Sequence, residues 1–224
     1  MQSASLRTYG GVAGKDRAAE RRGQLLEAGL ELLGAPDVAG ELTVRGACRQ
    51  ANLTARYFYE SFPDRDALTV AVYDGVVTEL SAAVLAALDH APRTARGQAS
   101  AGLTVVVRSI AEDPRRGRLL FSRALNGSPV VVARRIESTR WFVELFGTQV
   151  RAFYGVERDA RVDVAAELLV GGLAQVLTSW LDGSLEIPET ELVEHCTRLF
   201  LAVGGERPTS QALRRIPEPQ PRRG

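Results

Sequence analysis

The chain is short of the residues on which many activities depend. It has two histidines, two cysteines and one methionine in 224 residues, and Lys15 is the only lysine among 28 basic residues. Cys48 and Cys196 stand far apart in apolar helical patterns, which suits two buried thiols rather than a disulfide. No HExxH, CxxC, phosphate loop or serine nucleophile elbow occurs. Glu191 and His195 fall four apart on one helical face, a spacing that suits a surface ion pair better than half of a metal site. His195 and Cys196 are neighbours in sequence but project in different directions on a helix, so they make no catalytic pair. The expectation is a protein that is not an enzyme, with no catalytic residue, no metal and no cofactor. An apolar run of membrane-spanning length is missing, as is the apolar core of a signal peptide, and a cytoplasmic protein is expected. Net charge is missing too: the total is +1, and from Met1 to Asp66 nine bases face nine acids. Overall charge therefore does not mark a nucleic-acid binder, and any basic footprint must come from how the charges are distributed.

What is present is helical periodicity throughout, with no strand pattern and no internal repeat. Residues 1–14 read as a disordered arm and residues 205–224, rich in Pro and Arg, as a disordered tail. Between them, apolar spacing and breakers predict helices over Lys15–Leu33, a short pair within Leu42–Phe62, Asp64 to about Leu88, Arg93–Ala111, Arg115–Leu125, Pro129–Tyr154, Asp159–Leu181 and Pro188–Val203. Pro114 and Pro129 suit first helical positions, and Gly155 suits a helix stop. The Lys15, Arg17, Arg21, Arg22 cluster at the start of the first helix is the local positive charge that the total conceals.

The stretch Leu42–Phe62 carries the functional signal. Thr43 is placed to cap a first helix, on which Val44, Ala47, Cys48 and Ala51 form one inward face. Asn52 follows where a left-handed turn residue is wanted. Thr54 can cap the second helix, on which Phe58 and Phe62 point inward and Ala55, Arg56, Tyr57 and Tyr59 outward. Helix, tight turn and second helix make the unit that lays one helix in the major groove of DNA.

With TVRGACRQANLTARYFYESFPDRDAL near its front, the chain resembles the tetracycline-repressor (TetR) family of transcriptional regulators. The resemblance is specific over about Gln24–Tyr73, through Thr43-Val44-Arg45, Ala51, the Tyr59–Phe62 segment and Phe62-Pro63. Val170-Gly171-Gly172 and Trp180-Leu181-Asp182-Gly183 resemble the C-terminal half of actinobacterial-type members. Three positions depart from the pattern: Gly46 inside the first short helix, Asn52 for the commoner turn glycine, and Glu60 beside the tyrosine expected to meet phosphate.

The resemblance implies an all-α homodimer of about nine helices: a three-helix DNA-binding domain over 15–62, then a helical bundle over 63–204 for ligand binding and dimerisation. Thr43, Thr54 and Tyr59 are expected on phosphate oxygens, with Arg65 and the Lys15–Arg17 end of the first helix adding charge, and Arg45 counted with them. Base reading falls to Ala55, Arg56 and Tyr57; Arg56 can pair bidentately with guanine, or else meet a phosphate or solvent. Helix Asp159–Leu181, with Ala165, Ala166, Gly171, Gly172 and Ala174, offers a close-packing face to a second copy, or to the chain's own bundle. A small apolar or amphipathic effector is expected among Leu103, Val107, Phe121, Trp141, Leu145, Phe146, Leu173 and Leu177, with Arg108, Arg123 or Gln175 as polar anchors. The expected function is a repressor released from a palindromic operator; the alternatives are a helical protein-interaction module or a small-molecule-binding protein without DNA.

Overall fold

The structure is a computed structural model that describes residues 10–36, 42–121, 128–155, 157 and 160–205, the side chains of 10–15, 154 and 203–205 excepted. Among the described residues it has nine helices and no strand: α1 Gly10–Leu33, α2 Val44–Gln50, α3 Ala55–Ser61, α4 Arg65–His90, α5 Ala95–Glu112, α6 Pro114–Phe121, α7 Pro129–Tyr154, α8 Ala160–Leu181 and α9 Glu189–Gly205. The predicted helices agree to within a few residues. Helix α1 begins at Gly10, so Gly10–Gly14 are helical rather than part of a disordered arm, and Gly205 ends α9 rather than opening a tail. The remainder of both predicted ends, residues 1–9 and 206–224, lies outside the described residues, as do residues 122–125 of the predicted sixth helix.

Local chemistry accounts for most boundaries. Thr43, Asp64, Thr94 and Ser128 each accept a bond from a backbone N–H in the first turn of the helix they precede, satisfying donors that would otherwise lack a partner. Pro129 opens α7 where its missing N–H costs nothing, and Gly155 ends it in the left-handed region at φ 63°, a conformation that glycine adopts without a Cβ penalty.

Two clusters of buried side chains hold the helices together. The larger joins Leu25 of α1, Phe58 of α3, Leu68 and Tyr73 of α4, Leu119 of α6 and Val131 of α7. The smaller joins Leu103, Val107 and Ile110 of α5 to Leu177 of α8 and Leu192 and Cys196 of α9. Val106 and Phe121 pack against both. Helix α4 thus belongs to the core under α1–α3 and to the bundle beyond it. Helices α4 and α8 are each long and apolar enough to cross a membrane by length and composition, which corrects the expectation that no such run exists. Short interruptions such as Asp74 and Glu79 break up the apolar run of α4 to the eye, but too few fall in an 18-residue window to lower its mean hydropathy. Helix α4 packs against α1, α5 and α7, whereas Val164 and Leu168 of α8 are 59% and 69% exposed.

Candidate nucleic-acid interface and central cavity

The turn between α2 and α3 is built by backbone hydrogen bonds. Leu53 N–H donates to Cys48 O at 2.9 Å and Asn52 N–H to Arg49 O at 3.3 Å, the paired bonds of a helix end whose next residue is left-handed. That residue is Asn52, at φ 54° the one non-glycine with positive φ among the described residues. Asn tolerates the region because its short polar side chain bonds locally. The turn delivers Thr54 to the first position before α3. Its side chain makes no capping bond, contrary to expectation, so its exposed hydroxyl is not committed to the helix. Thr43 does cap α2, through Gly46 N–H at 3.0 Å. A Cβ on Gly46 would lie 3.0 Å from that same hydroxyl oxygen, which gives the helical glycine a local reason.

Phe58 and Phe62 are buried as predicted, and Ala55, Arg56 and Tyr59 are exposed. Tyr57 is only half-buried, because the Arg21 guanidinium lies 4.4 Å from its ring centroid. Arg21 also approaches Glu60 at 3.6 Å, and Glu60 takes Arg56 Nε at 3.1 Å one turn back along α3. Arg22 donates to Ser61 O at 2.9 Å and lies 4.2 Å from the centre of the Phe62 ring, a cation at the negative end of α3. Two members of the basic cluster therefore hold α3 against α1 instead of facing outward. Glu60, one of the three departures from the family pattern, orients Arg56. The sequence signal was available only as opposite charges at Arg56 and Glu60, four apart. Arg17, Thr43, Arg45, Thr54, Ala55, Arg56, Tyr59 and Arg65 all lie exposed. Arg65 pairs with Asp66 at 3.7 Å in the first turn of α4. Lys15 lies on α1 with its side chain outside the described residues.

Within the bundle, α4, α5, α7, α8 and α9 enclose a cavity of about 900 Å³, at the upper end of the usual size for a small-molecule site. Of the eight predicted wall residues, Leu103, Phe121, Leu145, Phe146, Leu173 and Leu177 line it. The other two do not. Val107 is fully buried in the α5–α8–α9 core, and Trp141 is 39% exposed, edge-on to Phe142. Of the predicted anchors, Gln175 lines the cavity, Arg108 pairs instead with Glu189 at 3.4 Å, and Arg123 lies outside the described residues. Sequence reasoning missed Tyr73, Arg135 and Ser138, all three of which line it. Tyr73 Oη and Ser138 Oγ share a hydrogen bond of 2.9 Å.

Helix α6 touches both regions. Leu120 and Phe121 line the cavity, while Arg115 reaches Glu27 at 2.7 Å and Glu31 at 2.6 Å on α1. Arg115 also makes two bonds to Asp113, 2.9 and 2.8 Å long, and these hold the Asp113 carboxyl below its usual range. Arg118 donates to Gly34 O at 3.2 Å, closing the end of α1.

No family model and no curated protein matches the chain. Solved structures do match over most of its length. A TetR-family transcriptional regulator from Streptomyces coelicolor is 20% identical, with 83% of this chain and 80% of that one covered at a TM-score of 0.65. A TetR-like transcriptional regulator from Rhodococcus sp. RHA1 is 18% identical, with coverage of 84% and 98% and a TM-score of 0.66. The transcriptional regulator FadR from Bacillus subtilis, solved in complex with stearoyl-CoA, is 12% identical, with coverage of 80% and 97% and a TM-score of 0.68. At these identities the likeness shows the fold: the all-α architecture is the one found in TetR-family transcriptional regulators.

Proposed function

We propose that the chain is a dimeric, sequence-specific DNA-binding transcriptional regulator, a cytoplasmic repressor released from a palindromic operator by a small apolar or amphipathic effector. The observation that carries this reading is the outer face of α3. Its exposed Ala55, Arg56 and Tyr59, with Thr54 just ahead of them, stand on a helix held to α1 by Arg21, Arg22 and Glu60. Thr43, Thr54 and Tyr59 contact phosphates, with Lys15, Arg17, Arg45 and Arg65 supplying charge. Arg56, Ala55 and Tyr57 read bases. Arg56 leaves Glu60 to do so, which favours sites that offer it a bidentate guanine.

One short helix reads too few base pairs for useful affinity, so two copies must bind half-sites about one helical turn apart or a multiple of it. Support for a second copy comes from α8 and α9, where Val164, Leu168 and Leu199 are at least 59% exposed. A Cβ placed on Gly171 or Gly172 would meet nothing within 4 Å, so that stretch has room for a partner helix. The effector occupies the cavity and, through α6 and α4, alters the separation of the two reading heads.

A salt series of binding to the DNA upstream of the protein's own gene tests this reading. Affinity should fall steeply with salt, and Arg56→Ala should cost about 1–3 kcal/mol with relaxed specificity at one base pair. Tyr59→Phe should weaken binding evenly across sequences. Wild-type affinity in both variants would refute the assigned face. A non-DNA interaction module would show no affinity for duplex at any salt concentration.

A further inference from the structure

Several neutral polar groups of the cavity wall have already given their protons to the protein. Ser138 Oγ donates to Arg135 O at 3.1 Å, and a serine hydroxyl carries a single proton. The 2.9 Å bond between Tyr73 Oη and Ser138 Oγ is therefore donated by Tyr73, whose own proton is spent in turn. Burial raises the Tyr73 phenol above its ordinary pKa, so the group stays protonated at neutral pH. Thr178 Oγ1 donates to Ala174 O at 2.8 Å and approaches Phe121 O at 3.3 Å. Gln98 Nε2 donates to Leu88 O at 3.0 Å and lies 3.4 Å from the carbonyl oxygens of Ala91 and Pro92. All four side chains line the cavity.

What these groups retain is the capacity to accept. Tyr73 Oη and Ser138 Oγ each keep a lone pair, Thr178 Oγ1 keeps both of its own, and Gln98 Oε1 takes part in none of these bonds. The remaining neutral polar side chains of the wall, Thr139, Gln149 and Gln175, are exposed or half-buried, so water serves them. Charge does not reverse the bias. Asp89 and Arg93, of opposite sign, are exposed beside the C-terminal end of α4. Arg135 donates to Leu119 O at 3.0 Å and has a further interaction besides, so its donors are committed to the protein. Its positive charge still disfavours a second cation nearby.

We infer that the cavity takes an uncharged, largely apolar alcohol, whose hydroxyl proton goes to the Tyr73–Ser138 pair while its carbon frame lies against Leu80, Val84, Leu103, Phe142 and Leu173. As the effector of the regulator proposed above, this ligand class rests on that reading; the binding preference itself does not. An alcohol adds one hydrogen bond to the pair and breaks none. A ketone, ether or carboxylate brings only lone pairs to groups that already present lone pairs. For Tyr73 to give such a ligand a proton, either the Tyr73–Ser138 bond or the Ser138–Arg135 O bond must be given up. That is one neutral hydrogen bond, a factor of about three to ten in affinity. A carboxylate also loses its hydration on entry, with the Arg135 donors already taken. An ammonium has protons to give, but it loses its hydration too and lies near the Arg135 cation.

Calorimetric titration of the full chain with decan-1-ol, decan-2-one, 1-methoxydecane, decanoate and decylammonium, each below its aggregation concentration, tests the inference. Their flexible tails are alike and adapt to the cavity whatever its shape, so the heads decide the order. Decan-1-ol should bind about three- to tenfold more tightly than the ketone and the ether, and the two ions more weakly still. Ser138→Ala removes the atom to which Tyr73 gives its proton. The freed proton can go to a carbonyl, so decan-2-one should gain about three- to tenfold, decan-1-ol should change little, and the preference should vanish. A merely structural role of Ser138 would weaken both compounds alike. In the wild-type protein, ketone or decanoate binding as tight as that of the alcohol would overturn the inference. A preference that survives in Ser138→Ala, or no binding by any of these compounds, would overturn it as well. The wild-type comparison decides the matter even if Ser138→Ala does not fold. Operator release is measured separately: alcohol-selective binding that leaves operator DNA in place keeps the site and overturns the regulatory reading. Release by a compound that binds without this preference does the reverse.

Discussion

Replacing Arg115 should loosen the joint by which the central cavity is tied to the N-terminal helices α1–α3. Its side chain, 29% exposed, spans from Asp113, the residue between α5 and α6, to Glu27 and Glu31 on α1. The two glutamates are 64% and 48% exposed, so each pair contributes only about 0.3–0.5 kcal/mol. Asp113 is 21% exposed and accepts two charge-assisted bonds, which together contribute about 1–2 kcal/mol. Arg115→Ala should therefore destabilise the protein by about 1.6–3 kcal/mol and lower Tm by roughly 3–12 °C at this chain length. The linkage has a definite sign. Asp113 is held below its ordinary pKa of 3.8, chiefly by its hydrogen bonds to Arg115, so its contribution is complete above that value and is lost as pH falls through the folded-state pKa. The Tm gap between wild type and Arg115→Ala should accordingly narrow below about pH 4. High salt should remove the glutamate share and leave the Asp113 share. A steric counterpart is Gly34→Ala, whose Cβ would fall 2.6 Å from Arg115 Cβ and 2.7 Å from its backbone oxygen. Backbone cannot swing aside, so α1 and α6 must separate, at a cost of about 1–3 kcal/mol. Calorimetric melts from pH 3 to 8 check both variants. An unchanged Tm in Arg115→Ala, or a gap that does not narrow in acid, would refute the assignment.

Other perturbations bear on separate links. Asn52→Val forces a β-branched residue into the left-handed region at φ 54° and should cost about 1–3 kcal/mol in urea unfolding, with Asn52→Gly nearly neutral; an undiminished Asn52→Val would mean that the turn relaxes. Leu168→Glu, at a side chain 69% exposed in the single chain, should leave helicity intact, yield monomers in sedimentation and abolish operator binding; a stable dimer would relocate the interface. Burial raises the Cys196 thiol above its ordinary 9.0 and the Tyr73 phenol above its ordinary 10.0. Both groups ionise first in the unfolded chain, so their stabilisation is complete below those values and is lost as pH rises beyond about 9. Cys196→Ala should flatten the first part of that decline, and identical alkaline melts would argue against the buried thiol.

Most of the secondary structure was legible because helix ends are written in adjacent residues. Pro129, Gly155 and the caps Thr43 and Asp64 each act within one turn, and Asn52 adopts the predicted left-handed conformation for reasons internal to a five-residue segment. Periodicity told which residues turn inward, and Phe58 and Phe62 obey it. It did not tell what lies inside. Val107 and Leu103 share a face of α5, yet Leu103 lines the cavity and Val107 is solid core, because α9 closes over one end of that face.

Sequence alone determined the helices, the turn that sets α3 apart and the inward and outward faces of the α2–α3 unit, since all of these depend on residues within a few positions of one another. Tertiary structure decided the rest. Arg21 meets Glu60 because α1 crosses α3, Tyr73 meets Ser138 because α7 lies along α4, and Arg115 reaches Glu27 and Glu31 because α6 docks on the end of α1. Charge partners separated by tens of residues leave no periodic mark in a chain. Only the packing of the helices brings them within hydrogen-bond distance.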